Sequence, residues 1–202
     1  MLVLRSSPPS PFGRKVRIGA AILGLADRIE PANADTNDPD EPLRRQNPLG
    51  KIPTLILENG AALYDSRVIL DYLDHLAGGG RIIPREPEPR FAALTMQALG
   101  DGLIDAAILQ VYETRFRAPE THSAKWLDHQ AGKVARALTA LEAAPPPDDA
   151  RHVGAIAVAC ALGYLDLRFA GRWRANHPRL VRWLDAFAAG VPAFAATRVD
   201  PA

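Results

Sequence analysis

The chain carries a single cysteine, Cys160, among its 202 residues. One thiol excludes an internal disulfide and fits a reducing compartment. Net charge is also nearly absent: 24 Lys and Arg against 23 Asp and Glu leave +1, so no field draws the chain toward nucleic acid or an acidic membrane. No run of apolar residues approaches the length of a membrane span, and Met1-Leu2-Val3-Leu4-Arg5 reads as a strand rather than a signal peptide. The five histidines, at 75, 122, 129, 152 and 177, show no paired ligand spacing, so no metal is expected. Gly78-Gly79-Gly80 lacks the Lys-Ser/Thr of a phosphate loop, and there is no Gly-x-Ser-x-Gly elbow. These absences predict a cytoplasmic protein without nucleic acid or membrane partners.

What is present describes an ordinary soluble globular protein, 48% apolar and 23% charged, long enough for one large domain or two modest ones. Leu2-Val3-Leu4 predicts a buried strand, and a loop rich in Ser and Pro follows from Arg5 to Ser10. Pro11 then opens a helix with Phe12, Val16, Ile18, Ile22 and Leu23 on its apolar side. A second short strand is predicted around Ile29, then a polar loop over 33–47 with room for one helical turn. After residue 77, Gly78-Gly79-Gly80 and the prolines at 84, 87 and 89 predict a stiff linker over 78–89. Helices are predicted from about 90 to 115, 124 to 143, 153 to 170 and 179 to 189, with no further strand. Strands first and helices afterwards divide the chain into residues 1–77 and 90–202.

Residues 50–66 are the most informative segment. An apolar run from Thr54 to Leu57 follows Pro53, turns at Asn59-Gly60 and returns through Ala61-Ala62-Leu63. Asn-Gly between two apolar runs predicts a hairpin. Asp65-Ser66 then opens a helical pattern through Val68, Ile69, Tyr72, Leu73 and Leu76. A helix N-terminus with a hydroxyl beside its free amides receives a carboxylate, and an ionised Asp65 accepts from an ammonium group. The pair therefore suits an amino acid zwitterion, although Asp65 could equally serve as a helix cap. Pro53 fits the first residue of a strand, or a cis Ile52–Pro53 bond that frees the Ile52 backbone for an extended peptide.

The order β-α-β, proline-led hairpin, Asp-Ser helix, linker and helical region resembles the soluble glutathione S-transferases, bacterial-like members included. The similarity extends over essentially the whole chain, and is most specific at Gly50-Lys51-Ile52-Pro53-Thr54-Leu55 and Tyr64-Asp65-Ser66-Arg67-Val68-Ile69-Leu70-Asp71-Tyr72-Leu73. The resemblance implies an α/β plus all-α protein. Its N-terminal thioredoxin-like domain (1–77) is β-α-β-β-β-α with a mixed sheet, and its all-helical C-terminal domain (90–202) contributes the electrophile site. It also implies glutathione as co-substrate, a small apolar electrophile, a homodimer and a detoxifying conjugation. Carried over, Pro53 is the cis proline, Ile52 pairs its backbone with the cysteinyl part, Asp65 and Ser66 hold the γ-glutamyl group, and Lys51 faces the glycyl carboxylate.

Ser10-Pro11-Phe12-Gly13 resembles the redox motif Cys-Pro-Phe/Tyr-Cys with both cysteines replaced. A serine there can donate a hydrogen bond to the glutathione sulfur and favour its thiolate. Ser10 is the first choice, Ser7 the alternative and Ser6 the third; each could instead satisfy loop backbone. Arg14 and Lys15 read as solvated. Gln97, Asp101 and Asp105 recur every four residues, so a basic group is expected to face them. In the resembling family this helix borders the cleft and the dimer interface, which would let Asp101 receive the ligand's ammonium across that interface. Tyr112, Phe116, Trp126 and Tyr164 are candidates for the electrophile pocket, and Cys160 reads as a small buried hydrophobe.

The family's buried helix usually begins with a Ser/Thr-x-x-Asp capping box. Here the stretch is His152-Val153-Gly154-Ala155, which leaves His152 as the sole candidate cap. The alternatives to a transferase are a glutathione-dependent thiol–disulfide reductase and a non-catalytic binding or regulatory protein of the same fold.

Overall fold

The computed structural model describes residues 1–200. Strand β1 (Leu2–Ser6) lies at the centre of a mixed four-stranded sheet of order β2-β1-β3-β4. It runs parallel to β2 (Ile29–Asn33) and antiparallel to β3 (Thr54–Ile56), which pairs antiparallel with β4 (Ala62–Leu63). Helix α1 (Pro11–Ile22) makes the crossover between the two parallel strands, and a single turn, α2 (Leu43–Gln46), occupies the predicted polar loop. Leu2 and Leu4 on β1, Leu55 on β3, Val16 and Ile18 on α1, and Ile69, Leu70 and Leu73 on α3 (Ser66–Leu76) are buried together. The hairpin turns where Asn59-Gly60 predicted, with Gly60 at φ +83° and the Asn59 side chain accepting from the Ala61 amide.

The linker is held by a carboxylate. Asp74, buried on α3, accepts from the backbone amides of Gly80, Arg81 and Ile82 at 2.7–2.9 Å. The Ile82 carbonyl in turn accepts from the Val153 amide, which ties the linker to the helical region. Helix α4 begins at Pro87 and ends at Phe116, earlier than the expected start near Arg90. Pro87 and Pro89 fall in its first turn, where a missing N–H costs no intrahelical bond.

Helices α5 (Ala124–Ala143), α6 (Val153–Phe169), α7 (Pro178–Gly190) and α8 (Pro192–Ala196) complete the chain. Helix α6 is the hub, buried continuously from Val153 to Leu162 between α4, α1 and α7. Small residues set its approach to α4: a Cβ at Gly100 would come within 2.9 Å of the Ala157 backbone, and one at Gly154 within 2.7 Å of the Ala93 carbonyl. Length and composition alone would let α4 cross a membrane, yet it packs along α5 and α6 and buries Gln97 and Asp101. His152 caps α6, its Nδ1 accepting from the Gly154 and Ala155 amides at 3.2 and 3.3 Å.

Candidate functional site

The strand register brings the predicted segments to one edge of the sheet. Arg5 lies opposite Thr54 and Leu55 opposite Leu63, so the end of β1, the start of β3 and the end of β4 emerge side by side. The loops leaving that edge are Ser6–Ser10, Lys51–Pro53 and Tyr64–Ser66, which lie far apart in sequence.

Ser10 is the N-cap of α1. Its Oγ accepts from the Gly13 amide at 3.1 Å, while its own backbone amide donates to the Ser7 carbonyl. A hydroxyl used as a cap spends one lone pair and keeps its proton, so Ser10 can still donate outward. Ser6 Oγ lies against Gly13, where a Cβ would collide with it. Among the described residues the Ser7 hydroxyl bonds to nothing.

The Ile52–Pro53 peptide bond is cis, as is Tyr64–Asp65. The loop before Pro53 is shaped from beneath by Asn47, which is buried and donates from Nδ2 to the Lys51 carbonyl (3.0 Å) and Thr54 Oγ1 (3.1 Å). The Lys51 side chain is exposed. Asp65 caps α3, its Oδ1 accepting from the Arg67 amide at 2.9 Å, and it stays exposed; Ser66 is buried beside it. Both readings of Asp65 are thus compatible, because the cap uses one oxygen and leaves the other to solvent.

Asp101 requires a correction. Its carboxylate is buried within this chain and occupied on both oxygens, by Lys15 Nζ (2.7 and 2.9 Å) and by Arg67 Nε (2.9 Å). It is no open acceptor for a ligand's ammonium. It instead joins α1, α3 and α4 directly behind the Asp65-Ser66 corner. Arg14 and Lys15, read as solvated, are also buried. Burial pulls the Lys15 ammonium pKa below its usual value and Asp101 opposes that, whereas the hydrogen bond to Asp101 raises Arg67. Asp105, one turn on, carries a raised carboxyl through desolvation and the neighbouring Asp101 charge.

Lys15, Arg67 and Asn47 are what sequence reasoning missed. The spacing of Asp101 and Asp105 did call for a facing cation, but it could not say which residue supplies it.

Tyr164 is buried and lines a cavity of about 610 Å³ together with Pro8, Pro9, Ser10 and Arg14. Tyr112 and Phe116 are exposed at the end of α4, edge to face at 5.1 Å. Trp126 is exposed and stacks on His129 instead. Cys160 is fully buried, which pushes its thiol up to about 11. No group of three metal-ligating side chains occurs among the described residues.

Known proteins match this arrangement. The family model for the glutathione S-transferase N-terminal domain matches residues 9–76, and that for the C-terminal domain matches residues 124–186. An uncharacterized GST-like protein of Escherichia coli, YibF, is 32% identical over 187 residues, 90% of this chain and 91% of its own. The crystal structure of a glutathione transferase family member from Pseudomonas fluorescens Pf-5 with bound glutathione superposes with a TM-score of 0.91 at 45% identity, covering all of both chains. A glutathione S-transferase from Methylobacillus flagellatus, also with glutathione bound, gives 0.90 at 35% identity over all of both chains. With matching family models in both halves and relatives of this identity along its whole length, the chain belongs to the glutathione S-transferase family.

Proposed function

We propose that this chain is a glutathione transferase that raises the thiolate fraction of bound glutathione and conjugates it to a small electrophile with an apolar body. The observation that carries this reading is the convergence at one sheet edge of a hydroxyl with an unspent proton (Ser10), a helix-capping carboxylate with an open oxygen (Asp65) and the Lys51–Pro53 loop. Asp65 receives the γ-glutamyl ammonium, and Ser66 with the first amides of α3 receives its carboxylate. The Ile52 backbone at Pro53 pairs with the cysteinyl unit, and Lys51 faces the glycyl carboxylate.

Ser10 then donates to the sulfur, beside the N-terminus of α1. Both favour the thiolate, whose proton passes to solvent. The sulfur attacks the electrophilic carbon, and the displaced group leaves with its electron pair. Residues 1–77 supply the glutathione half of the site, the stretch leading to α4 at Pro87 links it to the helices, and those helices share the electrophile half with the Pro8–Arg14 segment. The Pseudomonas fluorescens relative has also been crystallised with bound S-(propanoic acid)-glutathione, at a TM-score of 0.86 and 42% identity. A carbon substituent on that sulfur favours conjugation over disulfide reduction. The single reduced cysteine fits a cytoplasmic protein, and the exposed Val68 on α3 and Phe91 on α4 fit a homodimer.

Calorimetry with glutathione tests the binding half, and no heat at millimolar ligand would end the proposal. The ultraviolet thiolate band of bound glutathione tests the chemistry. Ser10→Ala should shift its titration to higher pH, whereas an unchanged titration would pass the role to Ser7. Disulfide reduction exceeding aryl-halide conjugation would reassign the chain as a reductase.

A further inference from the structure

The cavity beside Ser10 contains a buried cation that forms no direct ion pair among the described residues. Arg14 lies one turn further along α1 and is 9% exposed. Its Nε donates to Thr197 Oγ1 at 3.2 Å, its Nη2 donates to the Phe194 carbonyl, and its guanidinium sits 4.1 Å from the Phe194 ring centroid. Nη1 makes no hydrogen bond among the described residues. It occupies the space opened at Gly163, where a Cβ would collide with it.

Asp166 and Asp185 line the same cavity, and Asp166 is near enough to favour the charged guanidinium, yet neither pairs directly with Arg14. Asp166 accepts on Oδ1 from Trp173 Nε1 and Arg174 Nε and on Oδ2 from Arg174 Nη2, while Arg198 pairs with Asp200. Arg17 and Arg198 add to the positive field, and Asp185 forms no ion pair with Arg14. The Cys160 thiol behind Arg14 is neutral near pH 7. A guanidinium stays ionised in a protein, and burying it against neutral acceptors alone leaves much of its desolvation uncompensated.

We propose that Arg14 receives a carboxylate on the second substrate, so that the electrophile is an organic acid. This rests on the transferase reading above and names its substrate class. Pro8, Pro9, Tyr164 and Leu167 offer the apolar lining for the body of such a molecule, with Ser10 on the same cavity wall. For an acidic aryl halide, the glutathione sulfur forms a bond to the ring carbon and the carbon–halogen bond breaks. Halide leaves with the bonding pair, the thiol proton goes to solvent, and the carboxylate takes no part beyond anchoring.

The test is calorimetry on the full chain with two conjugates that differ only in charge, S-(4-carboxy-2-nitrophenyl)glutathione and its carboxamide. The acid should bind roughly tenfold tighter or more, as a charge-assisted hydrogen bond provides. Arg14→Gln should erase that gap, Arg14→Lys should keep part of it, and glutathione itself should bind all three proteins alike. Equal binding of acid and amide to the unsubstituted protein overturns the proposal. So does an Arg14→Gln protein that weakens glutathione and both conjugates equally, because Arg14 would then serve the tripeptide's own carboxylate. Should Arg14→Gln fail to fold by circular dichroism, the acid–amide comparison in the unsubstituted and Arg14→Lys proteins decides. Loss of glutathione binding in the unsubstituted protein would fail the transferase reading; intact glutathione binding with equal acid and amide affinities fails this proposal alone.

Discussion

Lys15 Nζ bonds both oxygens of Asp101 across 86 residues of chain, and neither side chain reaches solvent. A pair of this kind contributes little against a hydrophobic replacement, yet breaking it strands a charge in the core. Asp101→Ala should therefore cost about 3–5 kcal/mol in urea unfolding. The double substitution Lys15→Met/Asp101→Leu should recover most of that loss, and a double variant as unstable as the single would argue for a role beyond charge balance.

Asp65→Asn separates the two readings of Asp65. Asparagine caps a helix as well as aspartate does, so the melting temperature should stay within a degree or two. Glutathione should nevertheless bind about tenfold more weakly once the carboxylate facing its ammonium is neutral. Unchanged affinity by calorimetry would leave Asp65 as a cap alone.

The His152 cap works only as a neutral imidazole, because a protonated Nδ1 cannot accept from Gly154 and Ala155. Burial lowers its pKa in the folded chain, so the unfolded state takes up the proton first as pH falls. The cap's stability is thus fully present above the unfolded value of about 6.5 and is lost progressively below it. His152→Ser should flatten the decline in stability between about pH 7 and pH 5, read by urea titration, while His152→Ala should cost about 1 kcal/mol at neutral pH.

Asp74→Ala should be among the most damaging changes outside the candidate site. It removes the acceptor for three linker amides, those of Gly80, Arg81 and Ile82. A loss of about 3 kcal/mol or more in urea unfolding is expected. Hydrogen exchange at those amides should rise before that of the sheet.

Where a signal is local, the sequence was easy to read. Asn59-Gly60 marked the hairpin, Pro11 and Asp65 marked helix starts, and alternating leucines marked β1. Signals that depend on distant partners were not readable. Arg14 and Lys15 read as solvated because the groups that bury them belong to α4, α6 and α8. Asp101 reads from sequence as a possible acceptor for a ligand's ammonium, yet Lys15 and Arg67 occupy it, because one carboxylate spacing cannot tell a ligand's ammonium from a lysine's. Helix α8, five residues long and opened by Pro192, is too short for any periodicity to show.

The burial of Lys15 and Arg14 also bears on how the chain can be dissected. Both residues lie on the first helix, inside the stretch that sequence alone would cut out as a unit. Their partners, Asp101, Phe194 and Thr197, all lie beyond residue 90. A fragment ending at residue 77 would expose two charged side chains beside the apolar surface that α6 now covers, and would lose the linker amides that Asp74 gathers. The sheet and its helices are therefore not self-sufficient. The thioredoxin-like half borrows part of its interior from the helical half, and expression of either alone should yield an aggregating chain.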